Sequence, residues 1–450
     1  MSDLLKTLIF LIIFLGVVPG GAIIARTHPF VRMICFCLMV YFTSWSWLIH
    51  IAPIPDWTGT ARGMALSMSD ILSMIVLVSM ICDHNCKVTF KPPGTLFYAI
   101  YFLFAFISVS NAVHVLQWSF EIVKMVWMYL FFVSAYNYLK NTRDLWVLIY
   151  TASATLAILF VYGVLQKYFF GIYQVMSTLP HQNSLSLYVS LFGALSLGVL
   201  LNEKTNQFQT AILCCGVVWS TLLILFTFSR GGLLAYFWGL AVVGSLSVVM
   251  SRMTTKKIVL SVAGILIVTA MTSYALPRII IRFKNAPTAS KTTRVNLNRA
   301  AVRIANDYVF GVGANNFSEY SGPFRDYARE QWENAKIWED SSPYGGIVES
   351  VYLLVAAEFG WGGLAALLMW FLCYLYLGFR LCFYLRGKAC VGIAIGCTGG
   401  MVANYMQSLI EWSLKQYANF YELMLIFAVV AVVWTERKSI AALSTQGRKS

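Results

Sequence analysis

Residues 210–250 read TAILCCGVVWSTLLILFTFSRGGLLAYFWGLAVVGSLSVVM, two apolar runs separated only by the short polar turn SRGG at 229–232. Each run, 210–228 and 231–250, is about as long as a helix that crosses the roughly 30 Å hydrocarbon core of a bilayer. Because that core offers no water to satisfy open backbone groups, such runs span it as helices. The stretch therefore predicts two consecutive membrane helices joined by a tight turn.

The whole chain has the composition of a membrane protein. Its 450 residues are 59% hydrophobic and 12% charged, which excludes a soluble domain and a disordered chain. We therefore predict an all-α polytopic membrane protein with 12–14 transmembrane helices. The first run has no convincing cleavage site and is predicted to remain as the first helix. The thirteen candidate runs lie near residues 7–25, 31–51, 65–82, 95–112, 118–138, 145–169, 184–201, 210–228, 231–250, 257–276, 364–386, 389–411 and 417–435.

Lysine and arginine concentrate in alternate loops, and such basic loops face the cytoplasm. The opposite loops, which include the turn at Arg230 and the segment 277–348, then face outward. The predicted organisation is ten helices in 1–276, an extracytoplasmic loop with short helices at 277–348, C-terminal helices in 349–436 and a cytoplasmic tail at 437–450. The basic residues that set this orientation are Arg26, Arg32, Lys87, Lys91, Lys140, Arg143, Lys204, Arg252, Lys256, Lys257, Arg380, Arg386, Lys388, Arg437, Lys438, Arg448 and Lys449.

The segment 277–348 is the only long polar interruption between the apolar runs. It holds ten lysines and arginines against seven acidic residues, an excess that requires an anionic partner on a side where basic residues are usually few. Its aromatic rings have two open interpretations, stacking on sugar faces or anchoring at the membrane interface. These rings are Tyr320, Tyr327, Trp332, Trp338 and Tyr344.

Within this segment, residues 292–308 have the periodicity of an amphipathic helix that begins at a threonine cap. Arg299 and Arg303 fall on one polar face, and Arg294 lies in the first turn. One interpretation is an interfacial helix whose arginines contact lipid headgroups. The other is a guanidinium clamp for a diphosphate, because the guanidinium fork matches phosphate oxygens in two places.

Three further polar residues lie close to apolar runs. Arg230 lies in a turn so short that its side chain is predicted to stay close to the membrane. Such a position indicates either a functional cation or an arginine that snorkels at a helix end. His181 precedes a helix on the same predicted side, where a histidine is either structural or catalytic. Asp70 lies inside the third predicted helix, and the sequence names no partner for it.

The sequence contains no pattern typical of a metal site or a disulfide framework, so no cofactor is predicted. The ten cysteines lie almost wholly in predicted helices or cytoplasmic turns and are interpreted as packing residues. The net charge of +14 follows mainly from the basic cytoplasmic loops, which also attract anionic lipid headgroups. Nucleic acid is therefore not a predicted partner.

Several motifs occur in a recognisable order. The Ser-Arg-Gly-Gly turn is followed by the outer-loop helix with its leading arginine, by GVGANNF at 311–317, by Tyr352-Leu353, and by AEFG at 357–360. This order, over roughly residues 179–363, resembles the O-antigen ligase and Wzy polymerase superfamily. The resemblance implies a GT-C-type helical fold and no metal requirement. It also implies transfer of a glycan from undecaprenyl diphosphate to an acceptor hydroxyl outside the bacterial cytoplasmic membrane.

The resemblance assigns roles to individual residues. Ligases of this superfamily place a histidine just before the Tyr-Leu pair, where this chain has Glu349. A carboxylate at that position is similar to exopolysaccharide and O-antigen polymerases, so Glu349 and His181 are the candidate residues that orient or deprotonate the acceptor hydroxyl. Arginines that match the family motifs would hold the diphosphate. The candidate diphosphate ligands are Arg230 and Arg294, assisted by Arg299 and Arg303.

The function predicted from these motifs is inverting polymerisation of undecaprenyl-diphosphate-linked repeat units at the outer face of the bacterial inner membrane. The alternatives are an O-antigen ligase that transfers glycan to lipid A core, and a transporter or flippase of a lipid-linked or anionic solute. A transporter more often shows an internal repeat of broken helices, and none is detected. The predicted partners are the lipid-linked donor, the lipid-linked acceptor and membrane lipid; whether a chain-length regulator binds stays open.

Overall fold

The chain folds into long apolar helices, as seen in a computed structural model. The structure describes residues 3–46, 48–54, 56–140, 142–251, 253–262, 264, 269, 273, 288–322, 325–328 and 345–446. The helices in this part of the chain are α1 (Asp3–Ile12), α2 (Val18–Thr27), α3 (Pro29–Tyr41), α4 (Met68–Ile81), α5 (Thr95–Ile107), α6 (Val115–Tyr138), α7 (Thr142–Val164), α8 (Gln182–Asn202), α9 (Gln207–Thr227), α10 (Arg230–Met250), α11 (Thr288–Asp307), α12 (Phe317–Tyr320), α13 (Val351–Tyr384), α14 (Val391–Gln407) and α15 (Tyr417–Gln446).

The predicted all-α membrane fold is confirmed. Among the described residues, eight helices are long and apolar enough to cross a membrane. Helices coincide with twelve of the thirteen predicted runs, and the run near 257–276 falls mostly outside the described residues. The last helix, α15, continues to Gln446, beyond the residue 436 at which we expected the membrane segments to end. The eight spans are Leu8–Thr27, Val115–Tyr138, Arg143–Phe169, Gln182–Asn202, Gln207–Thr227, Arg230–Met250, Val351–Tyr384 and Tyr417–Ala442.

The second predicted run, 31–51, is wrong at its end. Helical structure stops at Ser44, and β1 (Ile49–Ile51) pairs with β2 (Met64–Leu66) in an antiparallel hairpin. After β1 the chain turns at Ala52, whose φ of 49° lies in the left-handed region. The hairpin therefore brings both ends of a polar loop together at one end of the bundle.

The centre of the bundle is α8, whose residues are almost all buried. Glycines allow α14 to approach it closely: a Cβ on Gly198 would lie 2.5 Å from the backbone of Gly392 and Gly396. Small residues of this kind let membrane helices pack at short distances. The other end of α8, its N-terminus, lines the candidate site described below.

The helix α13 begins thirteen residues before the predicted run 364–386, because Ser350 caps it. It bends at Gly360, whose φ is 76° and whose missing Cβ would lie 1.9 Å from the carbonyl oxygen of Val309. The turn after α11 packs into this bend, since the amide of Val312 donates to the carbonyl of Ala357. The two glycine motifs of the sequence thus fix α11 against α13.

The amphipathic helix predicted at 292–308 is observed as α11, which begins four residues earlier. Most of its apolar face is buried, while Tyr308 is half-buried and Val295 is 39% exposed. The face packs on protein from α13 and from the turn that follows α11. The shared core consists of Leu297, Ala301, Ile304, Val312, Phe317, Tyr320, Val348, Leu354 and Ala357.

Asp70 has hydroxyl partners in the fold. It lies in the first turn of α4 and forms a reciprocal capping box with Ser67, while the hydroxyl of Tyr421 donates to its second oxygen. A carboxylate near a helix N-terminus also interacts favourably with the helix dipole. The residue that the sequence left without a partner therefore ties α4 to α15.

Candidate active site

A cavity of about 860 Å³ opens at the end of the bundle that carries α11. Four of the six predicted site residues line it, namely His181, Arg230, Arg294 and Glu349. Residues that are distant in sequence thus meet in one place, and the charge pattern assigns all of their loops to the same side of the membrane. The remaining lining residues come from the segments 45–62, 180–183, 229–231 and 410–418.

Arg230 is the first residue of α10, so the N-terminus of that helix faces the cavity. Ser229 caps the helix by accepting a hydrogen bond of 3.2 Å from the amide of Gly232. A Cβ at Gly231 would lie 2.2 Å from the end of the Ile410 side chain, so a larger residue there would require Ile410 to move. Backbone N–H groups at a helix start carry partial positive charge, and with a guanidinium beside them they form a site for an anion.

His181 stands at the N-terminus of α8 on the cavity wall. Its Nδ1 accepts a hydrogen bond of 3.2 Å from the amide of Asn183. The surrounding protein disfavours the charged ring and lowers the pKa of the imidazole, so the ring is neutral at pH 7. A neutral ring whose Nδ1 accepts carries its proton on Nε2. His181 therefore offers a hydrogen-bond donor to the cavity.

Arg294 projects from α11 onto two carboxylates. Its guanidinium forms an ion pair with Glu349, just before α13, and lies 4.0 Å from an oxygen of Glu411. Burial raises the pKa of the Glu349 carboxyl, and the nearby guanidinium of Arg294 opposes that rise. One guanidinium cannot balance the negative charge of two carboxylates. The repulsion that remains between them raises the pKa of one of the two acids.

Glu411 is the site residue that the sequence analysis missed. Burial, followed by the neighbouring Glu349, raises its pKa to about 7, against the opposing effects of Arg294 and a hydrogen bond with Asn183. The residue was placed at the end of the predicted run 389–411, whereas α14 stops at Gln407. The sequence did contain a signal for Glu411: it is an acidic residue at the end of an apolar run, on the same predicted side of the membrane as Arg230.

Arg299 and Arg303 do not line this cavity, although they share a helix with Arg294. Both are exposed, and Arg303 borders a separate depression with Tyr327 and the end of α11. The described aromatic residues of the outer segment also lie elsewhere: Tyr320 is buried in the core beneath α11, and the Tyr327 hydroxyl donates to Asp307. Trp332, Trp338 and Tyr344 lie outside the described residues.

A fully buried cluster of four charges lies at the base of the segment 410–418. Lys415 donates to Glu358 at 2.7 Å and lies 3.4 Å from Glu121, which pairs in turn with Lys124. The ammonium of Lys124 also donates to the backbone carbonyl of Lys415 at 3.1 Å. Glu358, from the AEFG motif, thus has a structural role: the cluster holds α6, α13 and the loop carrying Glu411 in a fixed arrangement.

Replacing Lys415 by methionine should destabilise the protein by about 3–5 kcal/mol, because the substitution leaves Glu358 charged, buried and without its cation. The measurement is thermal unfolding in detergent, with the exposed Lys438→Met as the control. Adding Glu358→Gln to Lys415→Met should recover part of the loss, since it removes the stranded charge. Unchanged thermal stability of Lys415→Met would show that the cluster does not hold this loop.

The comparisons with known proteins agree with this geometry. The family model described as O-antigen ligase matches residues 215–368, a range that includes Arg230, Arg294 and Glu349. A search of curated proteins gives no match. His181, Glu411 and the segment 45–62 line the same cavity but lie outside the matched range. The matched range supplies both cavity arginines and the carboxylate that pairs with one of them, so this third of the chain is similar to the O-antigen ligase family.

Proposed function

We propose that this protein is a membrane glycosyltransferase that polymerises oligosaccharide repeat units carried on undecaprenyl diphosphate, with its cavity facing the periplasm. The observation that carries the proposal is the convergence of Arg230, Arg294 and the N-termini of α8 and α10 on one cavity. Such a concentration of positive charge suits a diphosphate. Fixed cations also stabilise a leaving group whose negative charge grows as the bond to it breaks.

Glu349 is the proposed base. Its carboxylate lies in the cavity beside Arg294, and its raised pKa makes it a stronger proton acceptor than an exposed glutamate. The hydrogen bond at Nδ1 makes His181 a donor, which suits a phosphate oxygen better than an acceptor hydroxyl. Of the two candidate bases from the sequence, the geometry therefore favours Glu349.

The proposed reaction proceeds in one displacement. The acceptor hydroxyl gives its proton to Glu349 as its oxygen forms a bond to the anomeric carbon. The bond from that carbon to the diphosphate oxygen breaks, and undecaprenyl diphosphate leaves with the electron pair. Arg230 and Arg294 bind the departing anion, so they act most strongly where charge develops. Attack from the side opposite the leaving group inverts the anomeric centre.

Binding of the donor would also change the environment of the base. A diphosphate at Arg294 competes with Glu349 for the same guanidinium, and the anion itself disfavours a charged carboxylate nearby. Both effects raise the proton affinity of Glu349 once the donor is in place. Glu349 is thus expected to be a stronger base when the donor is bound than in the free protein.

Ligase activity is the second candidate, because the matching family model is described as O-antigen ligase. The resemblance associates ligases with a histidine at the position of Glu349, and this favours the polymerase. The test is incubation of the purified protein in liposomes with one lipid-linked repeat unit, followed by separation of the products by size. A ladder of repeat-unit multiples supports a polymerase. Product that forms only when lipid A core is added would replace it with a ligase.

The pKa of Glu411 predicts how donor binding depends on pH. Below pH 7 its carboxyl is neutral, and above pH 7 it becomes a second anion beside Arg294. Because that anion competes with the diphosphate, we expect the KM for the donor to rise above pH 7, by at most about tenfold per pH unit. Glu411→Gln should keep a donor KM that is flat from pH 6 to 9. A rise that persists in Glu411→Gln would assign the titration to another group.

A further inference from the structure

One wall of the cavity is formed by the loop between α3 and α4, which we call the 45–62 wall. This wall lies outside the range that the family model matches. The matched range supplies Arg230, Arg294 and Glu349, the groups proposed to handle the diphosphate and the proton. Its cavity-lining residues are Trp45, Ser46, Leu48, His50, Thr58, Gly59, Thr60, Ala61 and Arg62.

The 45–62 wall is held in shape by Asn315, from the GVGANNF motif. The Asn315 side-chain oxygen accepts from the amide of Ala61 at 3.1 Å and from the indole of Trp57 at 3.2 Å. Its amide nitrogen donates to the carbonyls of Ala61 and Gln117. A fully buried side chain that satisfies several backbone groups of one loop fixes the conformation of that loop.

Two more contacts fasten the same wall. The hydroxyl of Thr60 donates to Glu121 at 2.8 Å, which joins the wall to the buried charge cluster, and the hydroxyl of Thr58 donates to the carbonyl of Gly345. Between them, Gly59 approaches Asn315 so closely that a Cβ would lie 2.1 Å from its side-chain oxygen. The wall is therefore preformed, which lowers the entropic cost of binding a ligand against it.

The side chains on this wall suit a sugar ring. Trp45 is half-buried and lines the cavity with its large flat indole, a surface that packs well against the C–H face of a pyranose. His50 and Arg62 also line the cavity, and imidazole and guanidinium groups are of the kind that hydrogen-bonds to sugar hydroxyls. An apolar platform with a few placed polar groups is the usual composition of a small-molecule site, and a cavity of 860 Å³ has room for more than a diphosphate.

We propose that the 45–62 wall is the acceptor subsite, which binds the non-reducing sugar of the acceptor glycan and selects which hydroxyl reaches Glu349. The inference rests on the proposed glycosyl transfer and deepens it. The matched segment carries both arginines proposed to hold the donor, and the 45–62 wall sets which acceptor is used. Asn315 positions this wall without touching the sugar.

The test separates donor from acceptor. The full-length protein in liposomes receives a lipid-linked donor whose non-reducing hydroxyl is blocked, so that it cannot serve as its own acceptor, and a labelled oligosaccharide as acceptor. Trp45→Ala and Arg62→Gln should each raise the acceptor KM about tenfold, the effect of losing roughly 1.4 kcal/mol of binding, while the donor KM changes less than about twofold. The controls are Trp238→Ala, on an exposed face of α10, and Arg26→Gln, at the end of α2.

Each outcome decides the inference. Equal increases in the donor and acceptor KM, or an unchanged acceptor KM, would overturn it while leaving the glycosyl transfer intact. If wild-type protein transfers nothing to any acceptor, the proposed function fails and the subsite fails with it. Trp45→Phe, which keeps an aromatic face, should retain most of the acceptor affinity; loss in this variant as large as in Trp45→Ala would point to a folding defect and contradict the stacking role.

Discussion

Replacing Arg294 by alanine will lower the rate of glycosyl transfer by about 100- to 1,000-fold, the loss seen when one preorganised group that stabilises a developing anion is removed. Arg294 is expected to have this effect because its guanidinium lies in the cavity, forms an ion pair with Glu349 and lies 4.0 Å from Glu411. Arg294→Lys should recover only part of the rate, since an ammonium keeps the charge and loses the fork that binds two oxygens. The measurement is initial rate with saturating acceptor.

The matched control is Arg299→Ala. Arg299 lies on the same helix, five residues further along, and does not line the cavity. We expect this variant to keep nearly the full rate. If Arg299→Ala and Arg294→Ala lost activity equally, the outer segment would act through its overall charge. That result would contradict the assignment of the cavity as the diphosphate-binding site. Equal thermal stability of the two variants would exclude unfolding as the cause.

Replacing Glu349 by glutamine will lower kcat by about 100- to 10,000-fold, the usual contribution of a general base. Glutamine has the same shape and its carbonyl oxygen can still accept from Arg294, so the cavity should keep its form. The donor KM should stay constant or fall, because the substitution removes an anion that competes with the diphosphate. A fall in kcat without a rise in donor KM is the pattern of a group that acts in the transition state.

His181→Ala is the comparison for Glu349→Gln. His181 is expected to donate to the bound diphosphate, so its loss should mainly raise the donor KM and lower kcat less than Glu349→Gln does. A Glu349→Gln enzyme that kept more than about a tenth of the wild-type kcat would rule Glu349 out as the base. A kcat lost mainly in His181→Ala would transfer the role to the histidine and would require the opposite ring tautomer.

The arrangement of Glu349, Arg294 and Glu411 links these predictions. One guanidinium serves two carboxylates in the absence of substrate, and the diphosphate is a third anion that competes for it. Double variants of these residues should therefore be far from additive, as expected for groups that share one partner. Comparison of Arg294→Ala, Glu349→Gln and the double variant would measure this coupling directly.

The sequence by itself determined the class of fold. Apolar runs of membrane-spanning length predict helices wherever they occur, because the bilayer forces each run to satisfy its own backbone. Arg230 and Arg294 were also identifiable, since an arginine between two apolar runs and an arginine that opens an amphipathic helix both stand out against their surroundings. Local pattern was sufficient for these features because their physical cause is local.

Tertiary structure alone decided which polar residues meet. Glu411 lies 117 residues from Arg294 in the chain, and no periodicity relates them. The two meet only because α11 packs on α13 and the loop between α14 and α15 lies at the same end of the bundle. The same holds for Asn315, which has the sequence context of an ordinary turn residue. Only the structure shows that its side chain holds a loop more than 250 residues away in the chain. Charge partners and hydrogen-bond partners across a bundle are chosen by the three-dimensional packing of helices, and that packing depends on all of the chain at once.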